Sequence, residues 1–268
     1  MNSMKLINSE QLLKIAVEAT KNAGMHALNE KARCNETAEI SPHDIKLILD
    51  IECQKIAEKT ILDYFPDHTI IGEEGNLDGT ESNYEWIIDP IDGTVNYSHQ
   101  FPHWCCSIAV QYNEKILAGA VFAPELNYMF TATLDGPAKL NNDIISTSKT
   151  DDLSKSLVFT GLNQKNKNII SPTFDALKEL ALSTQKVRIT GSCALDLCYV
   201  ASAKTDAYVE YGVYLWDYAA GALIAKRAGA SLLFHSNKET PPKVGIMCST
   251  PGISTALEKI WRSGLASL

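Results

Sequence analysis

The stretch 86–97 reads WIIDPIDGTVNY, an apolar run that passes directly into two aspartates, a proline, a glycine and a threonine. The apolar run has the character of a strand, and functional side chains commonly lie where a strand ends. The glycine permits close backbone approach, so Asp89 and Asp92 can converge while the amides of Gly93 and Thr94 point at an anion. The pattern predicts a metal site beside a phosphate. Ordinary Asp-Pro and Asp-Gly turns leave a purely structural interpretation open.

Two acidic segments upstream add oxygen ligands of the kind that magnesium prefers. GEEG at 72–75 places Glu73 and its neighbour in a loop after a short predicted strand. DIKLILD at 44–50 stands at the start of a predicted helix, with Lys46 and Asp50 four residues apart and therefore on one face. A solvated loop and an ordinary i,i+4 ion pair are the structural interpretations. The functional interpretation makes Asp50 an additional, weaker metal ligand.

The second half of the chain contributes further candidate positions. Asp217 precedes a helix of small apolar residues and is a good N-cap, although a carboxylate there could also bind a metal held between two lobes. Glu210 ends a predicted strand. Gly191, Ser192 and Cys193 open a helix whose free amides suit an anion or a hydroxyl-rich ligand.

Hydrophobic periodicity predicts an α+β first half and an alternating α/β second half. The predicted helices cover 12–27 (capped at Asn8 or Ser9), 49–64, 172–183, 192–203, 218–228 and 251–263. The predicted strands cover 69–71, 85–88, 107–111, 116–122, 128–133, 157–160, 208–210, 231–234 and 244–248. We expect an N-terminal lobe, residues 1–147, that carries most metal ligands. A C-terminal lobe, residues 148–268, is expected to close the same catalytic unit.

Composition narrows the class of protein. The 268 residues include 24 Lys and Arg against 32 Asp and Glu, a formal net charge of −8, and 45% are hydrophobic. This is typical of a globular chain with a full core, and it argues against disorder and against a nucleic-acid polymer as partner. The sequence shows neither the apolar core of a signal peptide nor the ~18 apolar residues of a membrane span, so we expect a cytoplasmic protein. Seven cysteines without a CxxC pair are expected to be free thiols, with Cys105 and Cys106 on opposite faces of a strand.

Four blocks of the chain together resemble the inositol monophosphatase family, in the magnesium-dependent, lithium-sensitive phosphatase superfamily. The blocks are GEE at 72–74, WIIDPIDGTVNY at 86–97, FPHWCCSIAV at 101–110 and GSCALDLCYVASAKTDAYVEYGVYLWDYAAGALIAKRAGA at 191–230. Their order and spacing match the family over almost the whole length. The resemblance implies a layered α-β-α-β-α sandwich of the inositol monophosphatase and fructose-1,6-bisphosphatase type, two or three Mg²⁺ ions, and a cytoplasmic homodimer.

The resemblance also implies a role for each matching residue. The implied magnesium ligands are Glu73, Asp89, the backbone carbonyl of Ile91, Asp92 and Asp217, with Asp50 linked to a third, looser ion. The implied catalytic residues are Glu73 and Thr94, which orient and deprotonate the attacking water, together with Asp50. The implied substrate contacts are Asp92, Gly93, Thr94, Gly191, Ser192, Cys193, Glu210 and Asp217.

These roles imply a phosphoric monoester hydrolase. It would convert myo-inositol monophosphate, or a similar small sugar phosphate, to the alcohol and inorganic phosphate by direct attack of a metal-activated water. Relatives that cleave 3′(2′),5′-bisphosphate nucleotides, fructose 1,6-bisphosphate or histidinol phosphate share the scaffold. VNYSH at 95–99 resembles the inositol-phosphatase version, and Glu210 suits a hydroxyl-rich ligand. A catalytically inactive sugar-phosphate-binding paralogue is the alternative outside the enzyme class, although the implied ligands are all present.

The chain departs from the family pattern near Asp50. Many members carry Asp-x-Val-Thr-x-x-Asp where this chain has DIKLILD at 44–50, and Glu39 stands where a basic residue is usual. Lys46 is a candidate replacement for that basic group. We therefore expect Lys46→Ala to raise the magnesium concentration needed for half-maximal activity.

Overall fold

The computed structural model describes residues 7–41, 44–77, 82–162, 167–236 and 243–265. The α-helices in these ranges are α1 (Ser9–Asn29), α2 (Ile48–Leu62), α3 (Thr94–Ser98), α4 (Lys167–Ser183), α5 (Cys193–Ala201), α6 (Leu215–Arg227) and α7 (Ser254–Leu265). The strands are β1 (Thr37–Ser41), β2 (Asp44–Leu47), β3 (Thr69–Gly72), β4 (Gly75–Leu77), β5 (Tyr84–Asp92), β6 (Cys105–Tyr112), β7 (Lys115–Ala123), β8 (Tyr128–Thr133), β9 (Lys139–Leu140), β10 (Asp143–Ile144), β11 (Leu157–Thr160), β12 (Lys186–Ile189), β13 (Ala207–Val213), β14 (Ser231–Ser236) and β15 (Val244–Ser249). None of the described helices has the length and apolarity that crossing a membrane requires.

Two large sheets and three helical layers alternate through the molecule. The first sheet has eight strands in the order β10-β9-β8-β7-β6-β5-β3-β4, and the second has five in the order β12-β11-β13-β15-β14. Helices α1 and α2 pack on the outer face of the first sheet, and α5 and α6 fill the space between the sheets. Helices α4 and α7 pack on the outer face of the second sheet. The expected α-β-α-β-α sandwich is confirmed.

Strand β5 lies inside the first sheet and is covered on both faces. Trp86 and Ile88 are buried in the core with α1 and α2, whereas Ile87 is buried in the core with α5 and α6. Because successive residues of a strand face opposite sides, a strand covered on both faces needs an uninterrupted apolar run. β5 pairs antiparallel with β6 and parallel with β3. The parallel pairing brings the carboxyl ends of β3 and β5 to the same edge of the sheet.

Small residues allow the middle helices to fit between the sheets. A Cβ on Gly119 of β7 would lie 3.0 Å from the Cα of Ala220 in α6. A Cβ on Gly221 would lie 2.9 Å from the carbonyl oxygen of Ala194 in α5. Since these backbones nearly touch, the run of alanine and glycine in α6 is a packing requirement of the middle layer.

The structure differs from the sequence prediction mainly where polar or exposed residues form strands. β1 and β2 form an antiparallel hairpin, although 44–47 was predicted to lie at the start of a helix. β12 was not predicted, because it is an edge strand of only four residues and is largely exposed. β5 continues through Asp92 instead of ending before Asp89. The other predicted helices and strands are present with shifted ends.

Two local predictions are confirmed. Asn8 caps α1, since its side chain accepts a hydrogen bond from the amide of Glu10 at 2.9 Å. All seven cysteines are buried free thiols, and Cys105 and Cys106 belong to cores on opposite faces of β6. The proposed division between residues 147 and 148 falls in the stretch that joins the first sheet to the second.

Candidate active site

The end of β5 carries two aspartates, and an irregular register turns both toward the same side of the sheet. Asp89 is opposite Ser107 and Asp92 is opposite Cys105, so three steps along β5 correspond to two steps along β6. Two residues that are three apart in a regular strand face opposite sides, and the extra residue of a bulge cancels that alternation. Pro90 lies within this bulge, where a missing backbone amide is tolerated.

Gly93 follows the bulge in a left-handed conformation, with a φ of +95°. A Cβ at this position would lie 3.0 Å from the carbonyl oxygen of His103 and 3.2 Å from that of Gly191. Both the backbone angle and the crowding therefore require glycine. Helix α3 begins at the next residue, Thr94, whose Oγ1 donates a hydrogen bond to the Ile91 carbonyl at 3.0 Å.

Carboxylates from several elements interact electrostatically around the end of β5. Removal from water, followed by the negative charges of Glu73, Asp92, Asp217 and Asp50, raises the pKa of Asp89 well above its usual range. The pKa of Glu73 is also raised well above its usual range, first by partial removal of its carboxyl group from water and then by the negative charges of Asp217 and Asp50. Part of this residue remains exposed to solvent. Carboxylates that lie close together destabilise each other's ionised forms. The five carboxylates expected to bind metal thus form one electrostatic cluster, which we call the acidic cluster.

The acidic cluster has the donor set that suits a hard divalent cation such as Mg²⁺. Its donors are oxygens, and Asp89 Oδ1 is buried with no hydrogen-bond partner among the described residues. A cation stabilises such an oxygen, because a buried carboxylate that lacks a partner is unfavourable. In the part of the chain that the structure describes, no three His, Cys, Asp or Glu side chains are grouped tightly enough to hold an ion.

Asp92 connects the two halves of the chain. Its carboxylate accepts hydrogen bonds from Ser192 Oγ at 2.6 Å, from the amide of Cys193 at 3.2 Å and from the amide of Ala194 at 2.8 Å. These donors form the start of α5, so Asp92 caps that helix from another part of the chain. We expected the amides of this turn to be free for an anionic or hydroxyl-rich ligand. The amide of Cys193 instead binds Asp92, as does the amide of the next residue, Ala194.

Four residues that the sequence analysis did not single out hold the same junction. Asn96 Nδ2 donates hydrogen bonds to the carbonyl oxygens of His103 at 2.7 Å and Thr190 at 2.8 Å. His103 Nε2 lies 3.1 Å from Asp196 Oδ1, and the Thr190 hydroxyl donates to the other carboxylate oxygen. Burial raises the pKa of Asp196 to about 6. The motif block at 101–110 contains His103 and could have indicated it. Its partner Asp196, however, lies 93 positions away in the sequence.

The loop that carries Glu73 is held by side chains from α2 and β2. Gln54 Oε1 accepts a hydrogen bond from the amide of Glu74, and Gln54 Nε2 donates to the Gly75 carbonyl, both at 2.9 Å. Lys46 Nζ forms an ion pair with Glu74, which raises the pKa of the lysine. The position of Glu73 therefore depends on two residues that do not belong to the acidic cluster.

Asp50 and Asp217 occupy equivalent places in their helices. Each is the third residue of its helix and accepts a hydrogen bond from the amide that precedes the helix, Leu47 N at 2.8 Å and Tyr214 N at 2.7 Å. Two predictions are therefore wrong. Asp217 is not the N-cap residue, because α6 begins two residues before it. Asp50 and Lys46 do not share a helical face, because the lysine precedes the helix in β2 and pairs with the loop at 72–75.

Glu210 lies on β13 close to the acidic cluster. It is partly buried, and removal from water raises its pKa to about 8. The hydroxyl of Tyr208 donates to its carboxylate and opposes that rise, whereas the charges of Asp217 and Asp92 add to it. The predicted substrate residue Cys193 lies near this group, since the charge of Glu210 adds to the rise that burial causes in the pKa of its thiol. The structure thus brings the predicted substrate residues of the second half to the border of the predicted metal site.

The comparison with protein families matches the inositol monophosphatase family over residues 8–265. The chain belongs to the inositol monophosphatase family. A relative from Vibrio cholerae, named Nus factor SuhB, is 36% identical over 262 residues, which cover 96% of this chain and 98% of the relative. The inositol monophosphatase of Dictyostelium discoideum is 31% identical and covers 96% of this chain and 97% of its own. The solved inositol monophosphatase structure from Anabaena (Nostoc) has a TM-score of 0.81 at 30% identity, over 94% of this chain and 95% of that one.

Membership of the inositol monophosphatase family supports a phosphatase that acts on small phosphate-bearing substrates. The relatives carry two kinds of name, one for an enzyme and one for a Nus factor. Family membership therefore gives the general chemistry, and the substrate has to be argued from the site.

Proposed function

We propose that this chain is a Mg²⁺-dependent phosphomonoesterase that hydrolyses myo-inositol monophosphate, or a similar sugar phosphate, to the alcohol and inorganic phosphate. The observation that carries the proposal is the acidic cluster around Asp89, whose charged forms are unfavourable until a cation neutralises them. Glu210, at the border of the cluster, offers a carboxylate that suits the hydroxyl groups of a sugar alcohol.

In the proposed reaction, Glu73 and Thr94 orient a water molecule for direct attack on phosphorus. Glu73 suits this role because solvent reaches it and it lies within the acidic cluster. The amides of Gly93 and Thr94 contact the phosphate. The acidic cluster and the Ile91 carbonyl would hold two or three magnesium ions, whose charge promotes ionisation of water and stabilises the departing alkoxide. Such a mechanism needs no covalent enzyme intermediate.

A phosphate-release panel tests the substrate. We expect Mg²⁺-dependent release from myo-inositol monophosphate to exceed release from fructose 1,6-bisphosphate, histidinol phosphate and 3′-phosphorylated nucleotides. Lithium is expected to inhibit the reaction, as the family resemblance implies. Equal rates on all four substrates would contradict the preference for inositol phosphate.

Asp89→Asn tests the site. This change keeps the size of the side chain but removes a charge from the acidic cluster, so we expect Mg²⁺-dependent phosphate release to be abolished. Asp63→Asn is the matched control, because it removes an exposed carboxylate that pairs with Lys59 at the surface. Normal turnover by Asp89→Asn would mean that the site is wrongly assigned.

The same panel separates the enzyme from a catalytically inactive sugar-phosphate-binding protein. An inactive protein would bind inositol phosphate in the presence of Mg²⁺ but release no phosphate from any substrate. We also propose that the enzyme is a cytoplasmic homodimer, in agreement with the family resemblance. Sedimentation velocity at micromolar concentration tests the dimer, and a single monomeric species would contradict it.

A further inference from the structure

Gly161 lies beside Glu210, which belongs to the neighbouring strand of the second sheet. β11 and β13 run parallel with Thr160 opposite Val209, and Thr160 Oγ1 donates a hydrogen bond to the Val209 carbonyl at 2.7 Å. This register places Gly161, the residue after the end of β11, beside Glu210 of β13. Gly161 is buried, whereas Glu210 is partly exposed.

The space that a side chain at Gly161 would occupy is filled by the carboxyl group of Glu210. A Cβ at Gly161 would lie 2.0 Å from Glu210 Oε2, 2.1 Å from Cδ and 2.4 Å from Oε1, and these are its three nearest atoms. The φ of Gly161 is not positive, so the backbone itself would accept alanine. The missing side chain matters because it leaves room for this one carboxyl group.

Tyr208 fixes the same carboxyl group from its own strand. Tyr208 and Glu210 are two residues apart and therefore face the same side of β13. The hydroxyl of the fully buried Tyr208 donates to Glu210 Oε2. The carboxyl group of Glu210 thus occupies the space above Gly161 and accepts a hydrogen bond from Tyr208. It lies close to the charges of Asp217 and Asp92.

We propose that Gly161 and Tyr208 are positioning residues that orient Glu210 to accept hydroxyl hydrogens of a polyol, and that they thereby set a preference for polyol phosphates over phosphate esters without a polyol. This inference rests on the proposed function, since Glu210 meets a substrate only if the site hydrolyses phosphate esters. A carboxylate in a fixed orientation can accept hydrogen bonds from two neighbouring hydroxyl groups, and a displaced one loses them. Alanine at position 161 would displace the flexible end of Glu210 without blocking the fold.

Steady-state kinetics on two substrates test the proposal. We would measure kcat and KM for myo-inositol 1-phosphate and for p-nitrophenyl phosphate, which has no polyol, in the wild type, Gly161→Ala and Tyr208→Phe. Loss of the hydrogen bonds that Glu210 accepts is expected to raise KM for the inositol phosphate about tenfold, with a smaller change in kcat. The ratio of kcat/KM between the two substrates should fall by about the same factor.

Tyr211→Phe is the matched control. It lies on the same strand and loses a buried hydrogen bond, from its hydroxyl to the Trp261 carbonyl at 2.7 Å, but it faces the core with α7. Its substrate ratio is expected to stay within about twofold of the wild type, because successive side chains of a strand face opposite sides and Tyr211 therefore points away from Glu210. Circular dichroism and thermal unfolding of each variant establish that it folds.

A double mutant establishes that Gly161 acts through Glu210. In a Glu210→Ala background, Gly161→Ala is expected to change the substrate ratio no further, since two residues that act through one group are not additive. The proposal is overturned by an unchanged ratio in both single variants, by equal losses on both substrates, or by a full effect of Gly161→Ala without Glu210. If the wild type releases phosphate from neither substrate, the proposed function itself fails.

Discussion

Lys46 places a positive charge beside the carboxylates that are proposed to bind magnesium. Its Nζ pairs with Glu74, and Glu39 lies opposite it in the register of β1 and β2. The lysine therefore acts in two opposite ways. Its charge repels a metal ion, whereas its ion pair holds the loop that carries Glu73.

We expect the loss of the ion pair to dominate in Lys46→Ala. Residues that orient metal ligands typically change metal affinity by about tenfold or more when they are removed. Lys46→Ala should therefore raise the magnesium concentration for half-maximal phosphate release by about tenfold, while Lys46→Arg, which keeps the charge and the reach, should resemble the wild type. A lower magnesium requirement in Lys46→Ala would mean that charge repulsion is the larger effect.

Glu210 links the stability of the protein to pH. Its pKa is raised from 4.5 to about 8 in the folded protein, mainly by removal from water. The folded state therefore holds this proton more tightly than the unfolded chain, and the resulting stability is lost as the pH rises from about 4.5 to about 8. Glu210→Gln cannot ionise, so it should lose less stability than the wild type over this range. Urea unfolding of both metal-free proteins at several pH values measures the difference, and parallel curves would contradict it.

At the scale of elements, Asn96 joins α3 to the segment that precedes β6 and to the segment between β12 and α5. Its side-chain amide donates to the carbonyl oxygens of His103 and Thr190, at 2.7 Å and 2.8 Å. Asn96→Ala would leave both oxygens without this donor, which typically destabilises a protein by about 1–3 kcal/mol. Urea unfolding should show this loss.

Asn22→Ala is the control for Asn96→Ala. It removes an exposed hydrogen bond from Asn22 Nδ2 to Thr60 Oγ1 at 3.3 Å. Changes at such surface positions usually stay within about 0.5 kcal/mol. Equal stability losses in the two variants would mean that Asn96 contributes no more than a surface contact.

The elements that the sequence predicted are those whose apolar residues follow a clear period. Helix α1 and strand β5 have such patterns, and the order of the motif blocks gave the layered fold. Strand β12 and the strands of hairpin β1–β2 are only four or five residues long, and β12 is mostly exposed, so their alternation is too short to stand out in the sequence. The bulge in β5 escaped prediction because a proline in a strand normally argues for its end.

The candidate site was predictable to a similar extent. The five carboxylates lie at strand ends and helix starts, which are positions that local patterns reveal. The contacts of Asp92 with the start of α5 join residues 100 to 102 positions apart, so only the folded chain shows that this carboxylate caps a helix. Gly161 likewise has no significance until Glu210 is placed beside it.

The whole molecule carries a formal charge of −8, which opposes the binding of a phosphate ester. Two or three divalent ions would add about four to six positive charges at one site and make it locally attractive for anions. We therefore predict that inorganic phosphate binds when Mg²⁺ is present and is not detectably bound when Mg²⁺ is replaced by sodium at equal ionic strength. Isothermal titration calorimetry measures both. Equal binding under the two conditions would contradict an essential role for the ions.

The position of α5 and α6 between the sheets also affects how the protein is made. The inner face of the first sheet carries Ile87, Ala109, Val121 and Phe130, and its covering helices are encoded only in the second half of the chain. On the ribosome, the first half of the chain would therefore expose this apolar surface until α5 and α6 have been synthesised. Such surfaces are prone to self-association. Biosynthesis of this protein is thus expected to depend on chaperone protection until residue 227, the last of α6, has emerged.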